Sequence, residues 1–159
     1  MNQLPLNDVI EACKEQYVWT RHFTLCPDTW KNYSSTHVWH GEKLDTTRAN
    51  SIPDESGIYT LILQPSIADH PACSYLMYVG QAESLRKRFR KYLTSEKKAN
   101  GRPKLFMFLN LYDGFICFYY TIVKVEALED VEDALIDAYQ PPLNTEVKGT
   151  LGIARRAFT

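Results

Sequence analysis

Residues 75–93 read YLMYVGQAESLRKRFRKYL, and this stretch is the most informative about the fold. Its first part, residues 75–79, is rich in residues that strands favour and is closed by Gly80, so it predicts a short β-strand. Its second part, residues 84–93, repeats apolar residues at helical spacing with basic residues between them. We therefore expect a strand followed directly by an amphipathic helix, whose apolar face packs on a sheet.

The neighbouring segments extend this pattern on both sides. Residues 56–63 (SGIYTLIL) and 115–125 (FICFYYTIVKV) predict two further strands. Residues 128–139 predict an amphipathic helix that ends at a proline pair, whereas the apolar run at 104–111 is helical or of uncertain type. The first two strands can form a hairpin to which the third adds. The prediction is an α+β domain, with a small central three-stranded sheet, mixed or antiparallel, flanked by helices.

The chain divides near residue 50. Residues 1–50 predict a mostly helical or irregular N-terminal extension, with a helix at about 8–17 that Asn7 caps. We expect this extension to pack on the core or to regulate it. Residues 51–147 form the predicted α+β core, and residues 148–159 a basic C-terminal tail.

The composition indicates a folded globular protein but does not indicate its function. Hydrophobic residues make up 45% and aromatic residues 13% of the chain, which argues against a disordered protein. The formal net charge is −1, yet residues 86–104 are strongly basic and hold Glu96 as their one acid. The four cysteines form no C-x-x-C pair, and no apolar run is long enough to span a membrane. We expect a cytoplasmic protein with no membrane partner, and nothing in the sequence indicates a homo-oligomer.

Five residues stand where the predicted elements could present them together. Tyr59 lies on the first strand, Tyr78 on the second, Arg88 on the basic helix and Glu132 on the late helix, and Asn144 follows the proline pair. Taken singly, a tyrosine on a strand is more typical of packing, and an arginine or glutamate on a helix is more typical of a solvated face. The proline pair and the asparagine after it are more typical of a helix stop. Their combination needs a different explanation.

In order, spacing and type, these residues resemble the GIY-YIG nuclease family over residues 56–145. Residues 78–88 (YVGQAESLRKR) look like the second strand and catalytic helix of the family, especially those of the N-terminal nuclease domain in its excision-repair branch. Residues 132–136 (EDALI) and 139–144 (YQPPLN) look like its metal-binding helix and closing Pro-x-x-Asn element.

The resemblance implies a metal-dependent DNA endonuclease, a phosphodiester hydrolase. Glu132 would hold one Mg²⁺ or Mn²⁺, because one carboxylate with waters and phosphate oxygens suits such an ion and a two-metal site needs more acids. Arg88 would clamp the phosphate as a permanently charged fork. Tyr59 would activate or orient the attacking water, and Tyr78 would assist. A free phenol has a pKa of about 10, so Tyr59 acting as a base needs a cation or hydrogen bonds that favour the phenolate, which Arg88 or the water shell of the metal could supply.

The remaining site predictions concern support and DNA binding. Asn144 would orient or support the site, and Gly57 and Gly80 would let backbone approach closely. Tyr92 lies one turn after Arg88, where the family often has His or Tyr; a site role and a core role are equally open. Gln81 departs from the lysine common in the repair branch, which leaves the charge there undecided. The basic side chains predicted to follow the DNA backbone are Arg86, Lys87, Arg90, Lys91, Lys97, Lys98, Arg102 and Lys104.

Several alternatives stay open. The chain could be a catalytically weak or inactive GIY-YIG-like module that binds nucleic acid, or a nuclease that a protein partner regulates through residues 1–50. It is undecided whether the enzyme prefers double- or single-stranded DNA. Its biological role, in defence, in mobile elements or in repair, is also undecided. His37 and His40 with Cys13 and Cys26 fit no common zinc motif, so packing and surface roles are favoured. Four aromatic residues also have two possible roles: Trp19, Trp30, Tyr33 and Trp39. They could stack on unpaired bases. We favour the other role, in which they pack the N-terminal segment onto the core.

Overall fold

A computed structural model of the protein describes residues 37–64, 74–94 and 102–144. The predicted helix at 8–17 and the basic tail at 148–159 lie outside these residues. The strands and helices of the described part are, in chain order, β1 (His40–Lys43), β2 (Gly57–Leu63), β3 (Tyr75–Ala82), α1 (Leu85–Leu93), α2 (Pro103–Leu111), β4 (Ile116–Ile122) and α3 (Leu128–Tyr139).

The strands form one antiparallel sheet in the order β1-β4-β2-β3. The predicted α+β class is confirmed, and so is the hairpin of β2 and β3 with the later strand added to it. Along the other side of β2, Tyr59 pairs with Tyr120 and Leu61 with Phe118. The central position of β2 places Tyr59 in the middle of the sheet.

The sheet has one strand more than the three predicted. Strand β1 reads HGEK, and its Gly41 lies opposite Tyr119 of β4. Its side chains show no apolar alternation, so only backbone pairing with β4 makes it a strand. Leu44 follows it into the core, and the Leu44 amide donates to the Ile116 carbonyl at 2.9 Å. Part of the segment predicted as an extension therefore completes the sheet.

Buried side chains form a cluster on each face of the sheet. One cluster joins Tyr59, Leu61 and Phe118 to apolar residues of α1 and α2. The other joins Ile58 and Val79 to apolar residues of α3. Because neighbouring residues of a strand point to opposite faces, α1 and α2 cover one face and α3 the other.

Helix α1 is fixed at its start by the loop that precedes β2. Ser84 caps the helix, since its hydroxyl accepts from the Lys87 amide at 3.2 Å. The Leu85 amide donates to the Glu55 carbonyl at 2.9 Å, and the Arg86 amide to the Pro53 carbonyl at 3.1 Å. Free amides at a helix start need such acceptors, so the loop sets where α1 begins and which way Arg88 points.

Helix α3 ends in a backbone conformation that forces the chain to turn. Gln140 has a φ of 47°, in the left-handed region, and the next two residues are prolines that cannot continue a helix. The chain then runs back to β3, where the Leu143 amide donates to the Met77 carbonyl at 3.0 Å. This turn delivers Asn144 to the outer edge of β3.

Candidate active site

Two tyrosines meet beneath the centre of the sheet. The hydroxyl oxygens of Tyr59 on β2 and Tyr92 on α1 lie 2.8 Å apart, and each side chain is at most 1% exposed. The Tyr59 ring is stacked on Phe118, with ring centroids 5.0 Å apart. The tight packing fixes both hydroxyls, and each is hydrogen-bonded to the other.

A third tyrosine, Tyr78, joins this pair from β3. Its ring centroid lies 6.1 Å from that of Tyr59, and its side chain is only partly buried. The register of β2 and β3 shifts between Leu61 and Ile62, so that Met77 is an extra residue on β3. Tyr78 itself pairs with Leu61 and so lies on the same face as Tyr59, and the β-bulge brings Met77 into the same cluster. Of the three tyrosines, Tyr78 is the one that solvent can reach.

Glycine is required at two positions next to the tyrosines. Gly80 pairs with Tyr59 across the strands, and a Cβ at Gly80 would lie 2.6 Å from Tyr59 Cζ. A Cβ at Gly57 would lie 2.8 Å from Leu85 Cδ1 and would also run into the Thr121 carbonyl oxygen. Real side chains do not tolerate such contacts, so a larger residue at either position displaces the elements that form the site.

Arg88 lies on α1 beside the tyrosines. Its guanidinium carbon is 6.0 Å from the centre of the Tyr59 ring, and its side chain is partly buried. A guanidinium at this distance is attracted to the face of an aromatic ring. The packing orients Arg88 while leaving part of it accessible to an anion.

Burial dominates the electrostatics of the tyrosine pair. Desolvation raises the pKa of Tyr59 well above its ordinary value, and the neighbouring Tyr92 and Tyr78 add to this rise. The charge of Arg88 lowers the pKa of Tyr59, but not enough to offset burial. Burial also raises the pKa of Tyr92. The surrounding side chains therefore favour two neutral hydroxyls, whereas a Tyr59 that acts as a base needs the opposite shift.

Glu132 lies on the side of α3 that faces the sheet. It is one turn after Leu128 and one turn before Ile136, and both of these are buried against the sheet. Glu132 itself is partly buried, whereas Glu129 and Asp130 on the same helix are exposed. Among the residues the structure describes, no three His, Cys, Asp or Glu side chains come together as a metal-binding group. A single carboxylate with this placement fits one Mg²⁺ that keeps water and phosphate oxygens as its other ligands.

Asn144 is bound to the backbone of β3. Its Oδ1 accepts from the Val79 amide at 2.9 Å, and its Nδ2 donates to the Val79 carbonyl at 2.8 Å. The side chain is buried, and its amide group imitates a neighbouring strand on the outer edge of β3. Asn144 thereby holds the residue between Tyr78 and Gly80.

A groove of about 900 Å³ opens beside Arg88, where β3 meets α1 and the start of α3. Basic side chains of α1 form one wall: Lys87, Arg88 and Lys91. Glu126 and Glu129 stand across from them, near the start of α3. The lining reaches α3 at Leu128 and Glu129, one helical turn before Glu132, and does not include Glu132 itself.

The basic residues predicted to follow DNA have different surroundings. Lys87, Lys91 and Lys104 are exposed. Arg90 is exposed and donates to Asn50 Oδ1 at 2.9 Å, whereas Arg86 Nε donates to the Ile52 carbonyl at 2.7 Å. Lys97 and Lys98 lie outside the described residues. The bond from Arg86 attaches α1 to the preceding loop, a structural role that the sequence pattern does not indicate.

Arg102 differs from the exposed lysines because it is partly buried and contacts a tyrosine of the cluster. It precedes α2, and its Nη1 donates to the Tyr78 hydroxyl oxygen at 3.3 Å. The structure thus brings four of the candidate residues together on one side of the sheet: Tyr59, Tyr78, Tyr92 and Arg88. Arg102 joins them, whereas Glu132 lies on α3, which covers the other face. No sequence signal connects residue 102 with residue 78, because the contact depends on how α2 returns to the sheet.

None of the helices in the described part of the chain has the length and apolar character needed to cross a bilayer.

The family model described as the GIY-YIG catalytic domain matches residues 57–146. No curated protein matched the chain. Among solved structures, the chain is similar to the GIY-YIG N-terminal endonuclease domain of UvrC from Thermotoga maritima bound to magnesium, with 22% identity and a TM-score of 0.43 over 62% of this chain and 93% of that chain. A point mutant of the same domain, bound to its catalytic divalent cation, gives 21% identity and a TM-score of 0.44 over 63% of this chain and 93% of that chain.

The family match spans more than half of the 159 residues and contains every signature position described above, from Gly57 to Asn144. The chain therefore belongs to the GIY-YIG nuclease family, and residues 57–146 are its catalytic domain.

Proposed function

We propose that this protein is a DNA endonuclease that hydrolyses phosphodiester bonds at a site with one metal ion, with water attack assisted by tyrosine and the phosphate clamped by Arg88. The observation that carries this proposal is the cluster of Tyr59, Tyr78 and Tyr92 beside Arg88. A nuclease must bind an anionic phosphate and orient a water against it. This cluster offers a cation and an accessible phenol within one packed unit.

Arg88 is suited to the phosphate because its charge does not depend on pH and its donors form a fork. Its partial burial keeps water from screening the interaction fully. It also lines the groove, so a DNA backbone lying there meets it directly. Lys87 and Lys91 on the same wall extend the positive surface along that backbone.

The tyrosines act as neutral groups in this proposal. The Tyr59 hydroxyl is enclosed and paired with Tyr92, so Tyr59 orients its neighbours by hydrogen bonding and is not a free phenolate. Tyr78 is the accessible phenol and can contact the attacking water or a phosphoryl oxygen. In the hydrolysis, the water oxygen forms a bond to phosphorus, the bond to the leaving oxygen breaks, and the water proton ends on the leaving group.

Glu132 would hold the divalent cation, Mg²⁺ or Mn²⁺. A bound cation supplies charge stabilisation for the phosphoryl oxygens and the leaving oxygen. Glu132 contributes a carboxylate that the helix packing presents toward the sheet. In this proposal the acidic metal site at Glu132 and the basic DNA-binding face occupy different parts of one domain, and such opposite charges can coexist in one protein.

The test is cleavage of supercoiled, linear, single-stranded and branched DNA with Mg²⁺, Mn²⁺ or EDTA. We expect cutting that requires metal and that Arg88→Ala and Glu132→Gln each abolish. Arg48→Ala and Asp130→Asn are matched controls, because both residues are exposed and Asp130 lies on the same helix as Glu132. Cutting that persists in both site variants contradicts the mechanism.

An inactive binding module makes a different prediction for the same experiment. Such a module binds DNA but cuts none of the four substrates with either metal. If the folded wild-type protein binds DNA but does not cut it, the protein is a binding module and the nuclease proposal is wrong. Deletion of residues 1–50, followed by the same assay, tests whether the N-terminal segment regulates cutting.

A further inference from the structure

Arg102 has a contact that the proposed mechanism does not use. Its Nη1 lies 3.3 Å from the Tyr78 hydroxyl oxygen, and its guanidinium carbon lies 6.0 Å from the centre of the Tyr78 ring. Arg102 lies immediately before α2, on an element different from the one that carries Arg88. The contact therefore connects a second helix to the accessible tyrosine of the site.

The direction of this hydrogen bond is fixed by chemistry. A guanidinium has only donors, so the Tyr78 oxygen must be the acceptor. The Tyr78 hydroxyl proton then points away from Arg102 and is available to another acceptor. A phosphate offers only acceptor oxygens, so a tyrosine in this state is oriented to donate to it.

The two arginines lie over different rings of the tyrosine cluster. Arg88 lies 6.0 Å from the Tyr59 ring, and Arg102 lies 6.0 Å from the Tyr78 ring. The charges of both lower the pKa of Tyr92, although burial outweighs them. Arg102 is thus close enough to act on Tyr78 and Tyr92, whereas Lys104, two residues later, is exposed.

We propose that Arg102 is a positioning residue that holds the Tyr78 hydroxyl as a hydrogen-bond donor toward the scissile phosphate. This inference rests on the proposed nuclease function. It differs from the prediction that Arg102 follows the DNA backbone, because its target is a side chain of the protein. Loss of the guanidinium leaves Tyr78 in place but lets its hydroxyl rotate.

Steady-state cleavage kinetics distinguish the two roles. For Arg102→Gln we expect kcat to fall about 10- to 100-fold, the size of effect that loss of orientation produces, with KM for DNA little changed. Arg102→Lys should recover part of the rate. Lys104→Gln is the comparison variant: it removes the same charge nearby without a contact to Tyr78, and because Lys104 is predicted to follow the DNA backbone, its effect should appear in KM and not in kcat. In a Tyr78→Phe background, Arg102→Gln should cause no further loss. A raised KM with kcat unchanged, or effects that add to those of Tyr78→Phe, would overturn the proposal.

A second measurement does not depend on cleavage. In the full chain labelled with 3-fluorotyrosine, the ¹⁹F signal of Tyr78 is the one that Tyr78→Phe removes. We expect Arg102→Gln and Arg102→Ala to shift this signal and Lys104→Gln to leave it unchanged. An unchanged Tyr78 signal in both Arg102 variants overturns the proposal. If the wild-type protein does not cut DNA, the proposed function fails, and this spectrum still decides whether Arg102 positions Tyr78.

Discussion

The hydroxyl oxygens of Tyr59 and Tyr92 lie 2.8 Å apart inside the protein, and each is the polar partner of the other. The pair joins the central strand of the sheet to the helix that carries Arg88. It is therefore both a part of the core and a part of the site. This double role leads to predictions that measure stability and activity separately.

Removal of both hydroxyls should cost less than the two single removals added together. Tyr59→Phe or Tyr92→Phe leaves one buried hydroxyl without its partner, which costs about 1–3 kcal/mol of the free energy of unfolding. The double variant removes both polar groups, so its loss should be smaller than the sum of the single losses. Urea denaturation measures all three. Tyr75→Phe is the control, since Tyr75 is 44% exposed; additive losses would show that the two hydroxyls are not coupled.

Alkaline pH should destabilise the protein through the same pair. Below about pH 10, the folded and unfolded states both keep neutral phenols, so this contribution to stability is fully present. Above it, the unfolded chain releases phenol protons that the folded state retains, because burial raises the pKa of Tyr59 and of Tyr92. The free energy of unfolding should then fall by up to about 1.4 kcal/mol per pH unit for each tyrosine.

The measurement is urea denaturation from about pH 8 to about pH 11, the range that brackets the ordinary phenol pKa. The double variant Tyr59→Phe with Tyr92→Phe should show a shallower loss of stability with rising pH than the wild-type protein. Tyr75→Phe serves again as the control. Equal slopes in the double variant and the wild-type protein would mean that the buried pair does not retain its protons.

Gly80→Ala should displace Tyr59. The new Cβ would lie 2.6 Å from Tyr59 Cζ, and the enclosed Tyr59 ring has no room to move away. We expect a loss of about 1–3 kcal/mol, typical of overpacking in a core, together with loss of cleavage. Gly41→Ala is a matched control, because the Cβ there meets the ring of Tyr119, which is only partly buried. A Gly80→Ala protein of wild-type stability and activity would show that the close approach is not required.

Asn144→Ala should loosen the outer edge of the sheet. It removes two hydrogen bonds, of 2.9 and 2.8 Å, and leaves the Val79 amide and carbonyl without these partners. We expect a loss of about 2–4 kcal/mol. Because Val79 lies between Tyr78 and Gly80, kcat should fall even at temperatures where the variant is folded. Asn50→Ala is the control, since Asn50 is exposed. Full activity of the folded Asn144→Ala protein would restrict Asn144 to a role in stability.

Local sequence predicted most of the elements because their side chains carry the pattern. The predicted helix at 128–139 agrees with α3, Leu128–Tyr139, since its apolar stripe and the following prolines define both ends. Strand β1 could not be predicted in this way. Its residues HGEK show no apolar alternation, and its pairing with β4 is a contact between distant parts of the chain.

The same distinction applies to the site. Tyr59, Tyr78 and Arg88 could be predicted because their spacing along the chain matches a family pattern. The core and site interpretations of Tyr92 both have support, as it is buried and its hydroxyl contacts Tyr59. The contact of Arg102 with Tyr78 and the direction of the pKa shift of Tyr59 depend on three-dimensional packing, which no short motif encodes.

The segment at 143–144 has a consequence for how the protein is made. It covers the outer edge of β3, at Met77 and Val79, after all four described strands have already been synthesised. Until residues 143–144 dock, the described part of the chain leaves the outer edge of β3 uncovered, and such an edge is a template for pairing with another chain. Self-association is therefore a hazard of the folding chain before this segment docks. The event that ends it is the docking of Asn144, which also completes the backbone around Tyr78.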